Sequence, residues 1–320
     1  MGGPGRRVEL HCGSATRATL QPVSLDAVLT DPPYLGNVQY AELMDFCYVW
    51  LRRLVGASSQ SFGSPSTRNV DELTGNETLA RGLSRFAAGL SDVFCRMAGA
   101  LKPGSPLAFT YHHRTIEAYY PVAVAILDAG LTCSASMPCP GEMGASIHIN
   151  GTSSSIVDTI FVCRSTGKVL RRWIAHSPEG IAAIVRTDLE NLQAGKVTPT
   201  QGDTRCIIFG HITRLAIWGL RSGWDREKPV EERLSAVARR IQEMGGPSTV
   251  ERHLRAELQL LPAVQHGVAR EDSEMYGTGG DEIPLKLSPV SGDAVSGFAG
   301  GYEEAAPRHE RQGLCFENAG

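Results

Sequence analysis

The chain has 320 residues, of which 42% are hydrophobic and 20% are charged, a composition typical of a globular protein with a full-sized core. The formal net charge of -3 excludes a chain that binds nucleic acid through overall positive charge, but it allows an enzyme with a local basic groove. No apolar run is long enough to span a bilayer, and the first seven residues contain no apolar signal segment. We therefore expect a cytoplasmic protein that does not enter a membrane.

The first half of the chain alternates between predicted strands and predicted helices. Short apolar segments predict strands at residues 8–11, 27–30, 107–111, 131–137 and 155–163. Helical periodicity predicts helices at residues 39–55, 78–101 and 116–129, and the aromatic side chains of the first are mostly expected to pack in the core. This order favours an α/β fold with a largely parallel sheet, whose last two strands are antiparallel because no helix joins them.

The second half of the chain is predicted to be helical and then irregular. Helices are expected at residues 177–194, 204–220, 230–244 and 249–260. The first of these has Ser177 as its expected N-cap and Pro178 in its first turn. From about residue 262 the sequence is rich in Gly, Ser and Glu and has little periodicity, which is typical of a mobile tail. We therefore divide the chain into an α/β domain at 1–165, a helical addition at 166–261 and a disordered tail at 262–320.

The motif Asp31-Pro32-Pro33-Tyr34 stands at the carboxyl end of the predicted strand at 27–30, where ligands bind in open α/β sheets. These residue types suit a planar base with an exocyclic amine. The Asp31 carboxylate and the Pro32 carbonyl can each accept one amine hydrogen, the prolines restrict the backbone, and Tyr34 can stack on the base. Two acceptors on one amine direct its lone pair towards an incoming methyl group, which is electrostatic preorganisation.

The motif resembles the signature of amino-methyltransferases that modify adenine N6 or cytosine N4 in DNA. The surrounding sequence resembles a family of large bacterial and archaeal adenine-specific DNA methylases. This resemblance rests on DPPY at 31–34, NVQYAELMDFCYVWLR at 37–52, LKPG at 101–104 and AFTYHH at 108–113. It implies a class I methyltransferase-like, Rossmann-like sheet, complete or incomplete, and S-adenosylmethionine as the cofactor.

Further candidate contacts surround the motif. Asn37, Tyr40 and His112 are candidates for binding the base, since they follow the motif or the neighbouring strand. Ser14 and Thr30 are candidates for binding the cofactor, although the resembled family often has an acidic residue near the position of Ser14. We expect no metal site, because the eight cysteines form no C-x-x-C pair and adjacent histidines on a strand point to opposite sides.

A Gly-rich loop that would bind the cofactor does not precede the motif. The resembled family has this loop far upstream. A methylase part encoded upstream is therefore a candidate partner that would supply the loop. The chain is otherwise a fragment of a longer protein or a decayed copy. A permuted arrangement is the alternative. In it, Phe298 and Gly300 of the run Gly297–Gly301 would bind the cofactor, and a second short strand would end at Glu317.

These observations predict methylation of the exocyclic amine of a base flipped out of its stack, with adenine N6 in DNA preferred through the resemblance. Two alternatives stay open at this point. The first is an RNA methyltransferase of the guanine-N2 type, which uses a similar motif. The second is a catalytically silent DNA-recognition subunit or remnant, which the missing Gly-rich loop favours.

Overall fold

The computed structural model describes residues 8–36, 39–56, 59, 62–75, 81–141, 155–170, 173–260, 282–284 and 314–315. Its strands are β1 (Glu9–Leu10), β2 (Val28–Thr30), β3 (Leu107–Tyr111), β4 (Thr132–Pro140), β5 (Val157–Arg164), β6 (Lys168–Leu170), β7 (Glu282–Pro284) and β8 (Leu314–Cys315). Its helices are α1 (Tyr40–Val55), α2 (Leu83–Ala100), α3 (Tyr120–Asp128), α4 (Pro178–Ala194), α5 (Gln201–Leu220), α6 (Val230–Glu243) and α7 (Gly246–Leu260).

The main sheet contains four strands in the order β2-β3-β5-β4. β2 and β3 are parallel, whereas β5 runs antiparallel to both of its neighbours. The chain is therefore an α/β protein with a mixed sheet. One of the three strand pairs described in this sheet is parallel, so the expectation of a largely parallel sheet is wrong for these strands. The predicted antiparallel arrangement of the last two strands is confirmed. This order is compatible with a Rossmann-like fold.

Helices cover one face of this sheet. Alternate residues of β3 and β5 are buried, as expected for strands with a single covered face. Phe109 of β3 contacts Phe94 of α2 at a centroid distance of 5.0 Å, and it stacks on Phe161 of β5 at 5.3 Å. Tyr119, in a short 3₁₀ turn before α3, contacts Phe209 of α5 at 5.6 Å. Aromatic side chains thus join the helical layer to the sheet.

The predicted helical addition forms and shares the core of the sheet. Ile181, Ile212, Val237 and Leu254 come from α4, α5, α6 and α7, and all four belong to the buried cluster that contains the sheet residues. The Ser177 hydroxyl accepts a hydrogen bond from the amide of Gly180 at 3.2 Å, which confirms the predicted N-cap of α4.

Helix α1 has the predicted bounds but not the predicted packing. Phe46 and Trp50 are 75% and 58% exposed, and Ala41 is the buried residue of the helix. The expectation that most of its aromatic residues pack in the core is therefore wrong for these two. The physical reason is that the described contacts of α1 are largely polar. Asp45, for example, accepts hydrogen bonds from the hydroxyl groups of Ser66 and Thr67.

The expected tail at 262–320 falls largely outside the described residues. Two of its segments are described, and both form short strands. β7 pairs antiparallel with β6, and β8 pairs parallel with β1. Parts of this region therefore contribute to β-structure, which its composition alone does not predict.

Gly210 lies at a close contact between α5 and the sheet. A Cβ atom at this position would lie 2.7 Å from both Oγ of Ser136 and Cγ2 of Thr159, two buried residues. We expect Gly210→Ala to lower the free energy of unfolding by about 1–3 kcal/mol, measured by urea denaturation. Gly99→Ala is the matched control because no heavy atom lies within 4 Å of a Cβ there, so equal losses in the two variants would contradict this account.

Candidate functional site

The Asp-Pro-Pro-Tyr motif begins directly after the last residue of β2. The register aligns Thr30 of β2 with Phe109 of β3, so the carboxyl ends of two parallel strands meet at this point. Asp31 is exposed there, and Pro32 is buried behind it. The structure thus places the motif at the sheet edge where ligands bind in open α/β folds.

Two hydroxyl groups hold the Asp31 carboxylate. Tyr34 donates a hydrogen bond to Oδ1 of Asp31 at 3.1 Å, and the hydroxyl of Thr110 donates to the same oxygen. The contact of Thr110 was not foreseen from the sequence. The signal that could have identified it is its position near the carboxyl end of the predicted strand at 107–111, which is parallel to the strand before the motif. Asp31 is therefore a preoriented hydrogen-bond acceptor.

Tyr34 is half-buried between the motif and the neighbouring strand. Its ring lies 5.2 Å from that of Tyr111, with an interplanar angle of 59°. Burial raises the pKa of the Tyr34 phenol well above its ordinary value, and the negative charges of Asp158 and Asp31 raise it further. The phenol therefore stays protonated at neutral pH, and it continues to donate its hydrogen bond to Asp31.

A cavity of about 400 Å³ opens on the other side of the motif. Ser14, Thr30, Pro32, Pro33 and Tyr40 line it, so the structure brings together two of the four predicted cofactor contacts, the two prolines and one predicted base contact. Its apolar wall comes from α2 and consists of Leu90, Val93, Phe94 and Met97. This volume and the mixture of polar and apolar walls fit a small organic ligand.

The mouth of the cavity is held by charged contacts between loops. Arg17, in the loop after β1, forms an ion pair with Asp71 at 2.9 Å. Glu72 accepts a hydrogen bond from the amide of Ala41 at 3.0 Å and forms an ion pair with Arg81 at 3.1 Å. These contacts fix the start of α1 against the cavity, and they were not foreseen from the sequence.

His112 lies apart from the cavity, although it follows the neighbouring strand as predicted. Its Nδ1 atom lies 3.2 Å from the carbonyl oxygen of Val157, 3.5 Å from Sγ of Cys206 and 3.8 Å from Oδ1 of Asp158. Burial raises the pKa of the Cys206 thiol to about 11, so this cysteine is not a thiolate at neutral pH. His112 does not line the cavity, and its role as a base contact stays a prediction.

Three predicted site residues fall outside the described part of the chain. Asn37 was a candidate for binding the base, and Phe298 and Gly300 were candidates for binding the cofactor. Their roles stay predictions, and the cavity is defined by the other candidates.

Comparisons with known proteins do not assign the chain to a family. No known protein family matches the sequence, and neither a curated protein nor a solved structure is detectably similar to it. Among the described residues, no helix has both the length and the apolarity needed to cross a membrane. The same residues contain no group of three or more His, Cys, Asp or Glu side chains that could hold a metal ion. The geometry around Asp31 is therefore the basis on which a function can be proposed.

Proposed function

We propose that this chain carries the base-binding part of an S-adenosylmethionine-dependent amino-methyltransferase that acts on adenine N6 in DNA. The observation that supports this most is the position of Asp31-Pro32-Pro33-Tyr34 at the carboxyl end of β2, between a ligand-sized cavity and the neighbouring strand. The resemblance of the motif and of residues 37–52 to adenine-specific DNA methylases supports the choice of substrate. On this proposal the fold is the second half of a class I methyltransferase sheet.

Asp31 and Pro32 would orient the amine of the flipped base. The carboxylate of Asp31 is already held by Thr110 and Tyr34, so it accepts an amine hydrogen without a cost in side-chain ordering. The carbonyl group of Pro32 would accept the second hydrogen. Tyr34 would present the exposed part of its ring to the base, since its remaining surface packs on Tyr111.

The cavity fits the cofactor that this reaction needs. Ser14, Thr30 and Tyr40 offer hydroxyl groups to a polar ligand, and the α2 wall offers apolar contacts to an adenine ring. S-adenosylmethionine, when bound, supplies an electrophilic methyl group. Because Pro32 and Pro33 line the cavity while Asp31 stands beside it, the motif would hold the amine of the base next to the methyl group of the cofactor.

The test is methyl transfer from tritiated S-adenosylmethionine by the purified chain, alone and with the product of the neighbouring upstream gene. We expect incorporation into duplex DNA and recovery of the label as N6-methyladenine after hydrolysis. Label recovered as N2-methylguanine from tRNA would overturn the proposal in favour of the RNA enzyme. Calorimetry that detects no cofactor binding, with or without the upstream product, would instead favour the silent recognition subunit.

A further inference from the structure

Helix α1 turns a polar side towards the rest of the chain. The residues on this side are Ala41, Asp45, Tyr48 and Arg52, which follow one another at helical spacing. Asp45 accepts hydrogen bonds from the segment at 62–67, and Tyr48 and Arg52 donate hydrogen bonds to backbone carbonyl groups of the same segment. Because hydrogen bonds hold this side, the opposite side of the helix faces outward.

The outward side of α1 is apolar along the whole helix. Six large apolar side chains there are between 46% and 82% exposed, namely Leu43, Met44, Phe46, Trp50, Leu51 and Leu54. Cys47 lies among them and is also exposed. At about 100° per residue these seven residues form one continuous surface, which we call the apolar stripe. A stripe of this width normally faces a core, so its exposure requires an explanation.

The apolar stripe has the area of a protein interface. Its residues expose roughly 700 Å² together, since a large apolar or aromatic side chain measures about 150–250 Å². The largest apolar patch of an ordinary monomer is about 300–600 Å². A standard interface buries about 800 Å² on each partner. The stripe and its rim therefore match one half of a standard interface.

The spacing along the apolar stripe suits a second helix of the same sequence. Steps of four, three and four residues separate Leu43, Cys47, Trp50 and Leu54, which is the pattern of helices that pack side by side. Because this order is symmetric about its centre, a two-fold axis there places Leu43 against Leu54 of the second copy. The same axis places Cys47 against Trp50 of the second copy. The stripe is therefore self-complementary in an antiparallel pair of helices.

The charges beside the apolar stripe also suit an antiparallel pair. Glu42 and Arg53 stand at opposite ends of α1 on the same flank of the stripe, and both are exposed. An antiparallel pair brings Glu42 of each copy towards Arg53 of the other, whereas a parallel pair brings like charges together. Glu42 also lies 3.5 Å from Arg68, and one carboxylate can accept from two guanidinium groups.

We propose that the apolar stripe of α1 is a dimer interface, which packs antiparallel against the same stripe of a second copy of this chain. The stripe itself contains no Lys or Arg, which sets it apart from a nucleic-acid surface, where phosphate contacts come largely from these residues. Dimerisation buries Phe46 and Trp50, the aromatic side chains that the monomer leaves exposed. The inference goes beyond the proposed function and does not depend on it.

The test is sedimentation velocity of the full chain, with Leu54→Glu as the variant. We expect the parent chain to sediment as a dimer, with twice the monomer mass of 34.4 kDa, at about 10 µM. Leu54→Glu places a carboxylate against Leu43 of the second copy, so Kd should rise at least about 100-fold. Leu258→Glu is the matched control, because Leu258 is an exposed leucine of helix α7, and its Kd should equal that of the parent. Both variants should keep the stability of the parent in urea, since both side chains are exposed.

Reversal of the flanking charges tests the antiparallel arrangement. Glu42→Arg alone and Arg53→Glu alone each place like charges together at both ends of the interface, so each should raise Kd about 5-fold. The chain with both substitutions restores opposite charges and should regain a Kd within about 3-fold of the parent value.

A parent chain that keeps the monomer mass at about 50 µM would overturn the inference. So would a dimer that tolerates Leu54→Glu, which would place the interface elsewhere, or an assembly that forms only with the upstream gene product. A doubly charge-reversed chain that regains no affinity would overturn the antiparallel arrangement. These measurements need no S-adenosylmethionine, so a failure here is distinct from a failure of the proposed function.

Discussion

Asp31→Ala is expected to lower the rate of methyl transfer about 100- to 1,000-fold while the protein stays folded. A rate loss of this size is typical when an enzyme loses one preorganised polar group that stabilises the charge developing in the transition state. Asp31 is exposed, and its hydrogen-bond partners Thr110 and Tyr34 can turn to water when it is removed. We therefore expect the free energy of unfolding to change by less than about 1 kcal/mol.

Asp31→Asn removes the negative charge of Asp31 but preserves the shape of the side chain. Its amide oxygen can replace the carboxylate oxygen that accepts from Thr110 and Tyr34. The amide nitrogen would then face the base, where it donates a hydrogen bond instead of accepting one. The rate should fall nearly as far as in Asp31→Ala.

The matched control is Asp26→Asn, two residues before the start of β2. Asp26 is half-exposed and forms a surface ion pair with Lys102 at 2.7 Å. Single-turnover transfer of a tritiated methyl group should be unchanged in this variant. An Asp31→Ala rate within about threefold of the parent would contradict the role that we propose for the carboxylate.

The secondary structure was predictable wherever periodicity and capping agree locally. The strand at 107–111 and the N-cap Ser177 were both foreseen, because the alternation of apolar residues and the Ser-Pro pair are signals carried within a few residues. The predicted helix at 116–129 begins instead with a 3₁₀ turn at Ile116–Tyr119. Helix ends of this kind depend on tertiary contacts as well as on local sequence.

The exposure of α1 shows where periodicity is insufficient. Apolar residues at helical spacing establish that one face of the helix is suited to burial, but they do not say which element covers it. Phe46 and Trp50 are exposed in the described part of the chain although their spacing is that of a core helix. A hydrophobic pattern therefore predicts a helix more securely than it predicts the packing of that helix.

The contacts of the candidate site also divide into those that the local sequence predicts and those that depend on the fold. Asp31 and Tyr34 are three residues apart, so their hydrogen bond follows from local sequence. Thr110 is separated from Asp31 by 79 positions, and its contact exists because β2 and β3 are in one particular register. A single sequence does not specify which strands are neighbours. The carboxylate of Asp31 could therefore be predicted from the sequence, but the residue that orients it could not.

Asp128→Ala is expected to lower the free energy of unfolding by about 3–5 kcal/mol, the usual cost of removing one partner of a buried ion pair. Asp128 ends α3, and its side chain is only 3% exposed. It accepts hydrogen bonds from Ser91 of α2 at 2.7 Å and from the indole of Trp224 at 2.8 Å, and it pairs with Arg233 of α6. Without the carboxylate, the largely buried guanidinium of Arg233 loses the negative charge with which it pairs.

A double substitution distinguishes the destabilisation caused by an unpaired buried charge from the stabilisation that the ion pair itself provides. Asp128→Leu combined with Arg233→Met removes both charges and keeps most of the volume, and such replacements are often close to neutral. We expect the double variant to regain at least half of the loss measured for Asp128→Ala by urea denaturation, with some loss retained because Ser91 and Trp224 lose their acceptor.

Asp26→Ala is the control, since it breaks an exposed ion pair, and it should lower the free energy of unfolding by less than about 1 kcal/mol. If Asp128→Ala lowered the free energy of unfolding no more than this control, the buried ion pair would not be what holds α6 against the helical layer. Apolar contacts such as those of Val237 would then be sufficient to hold it.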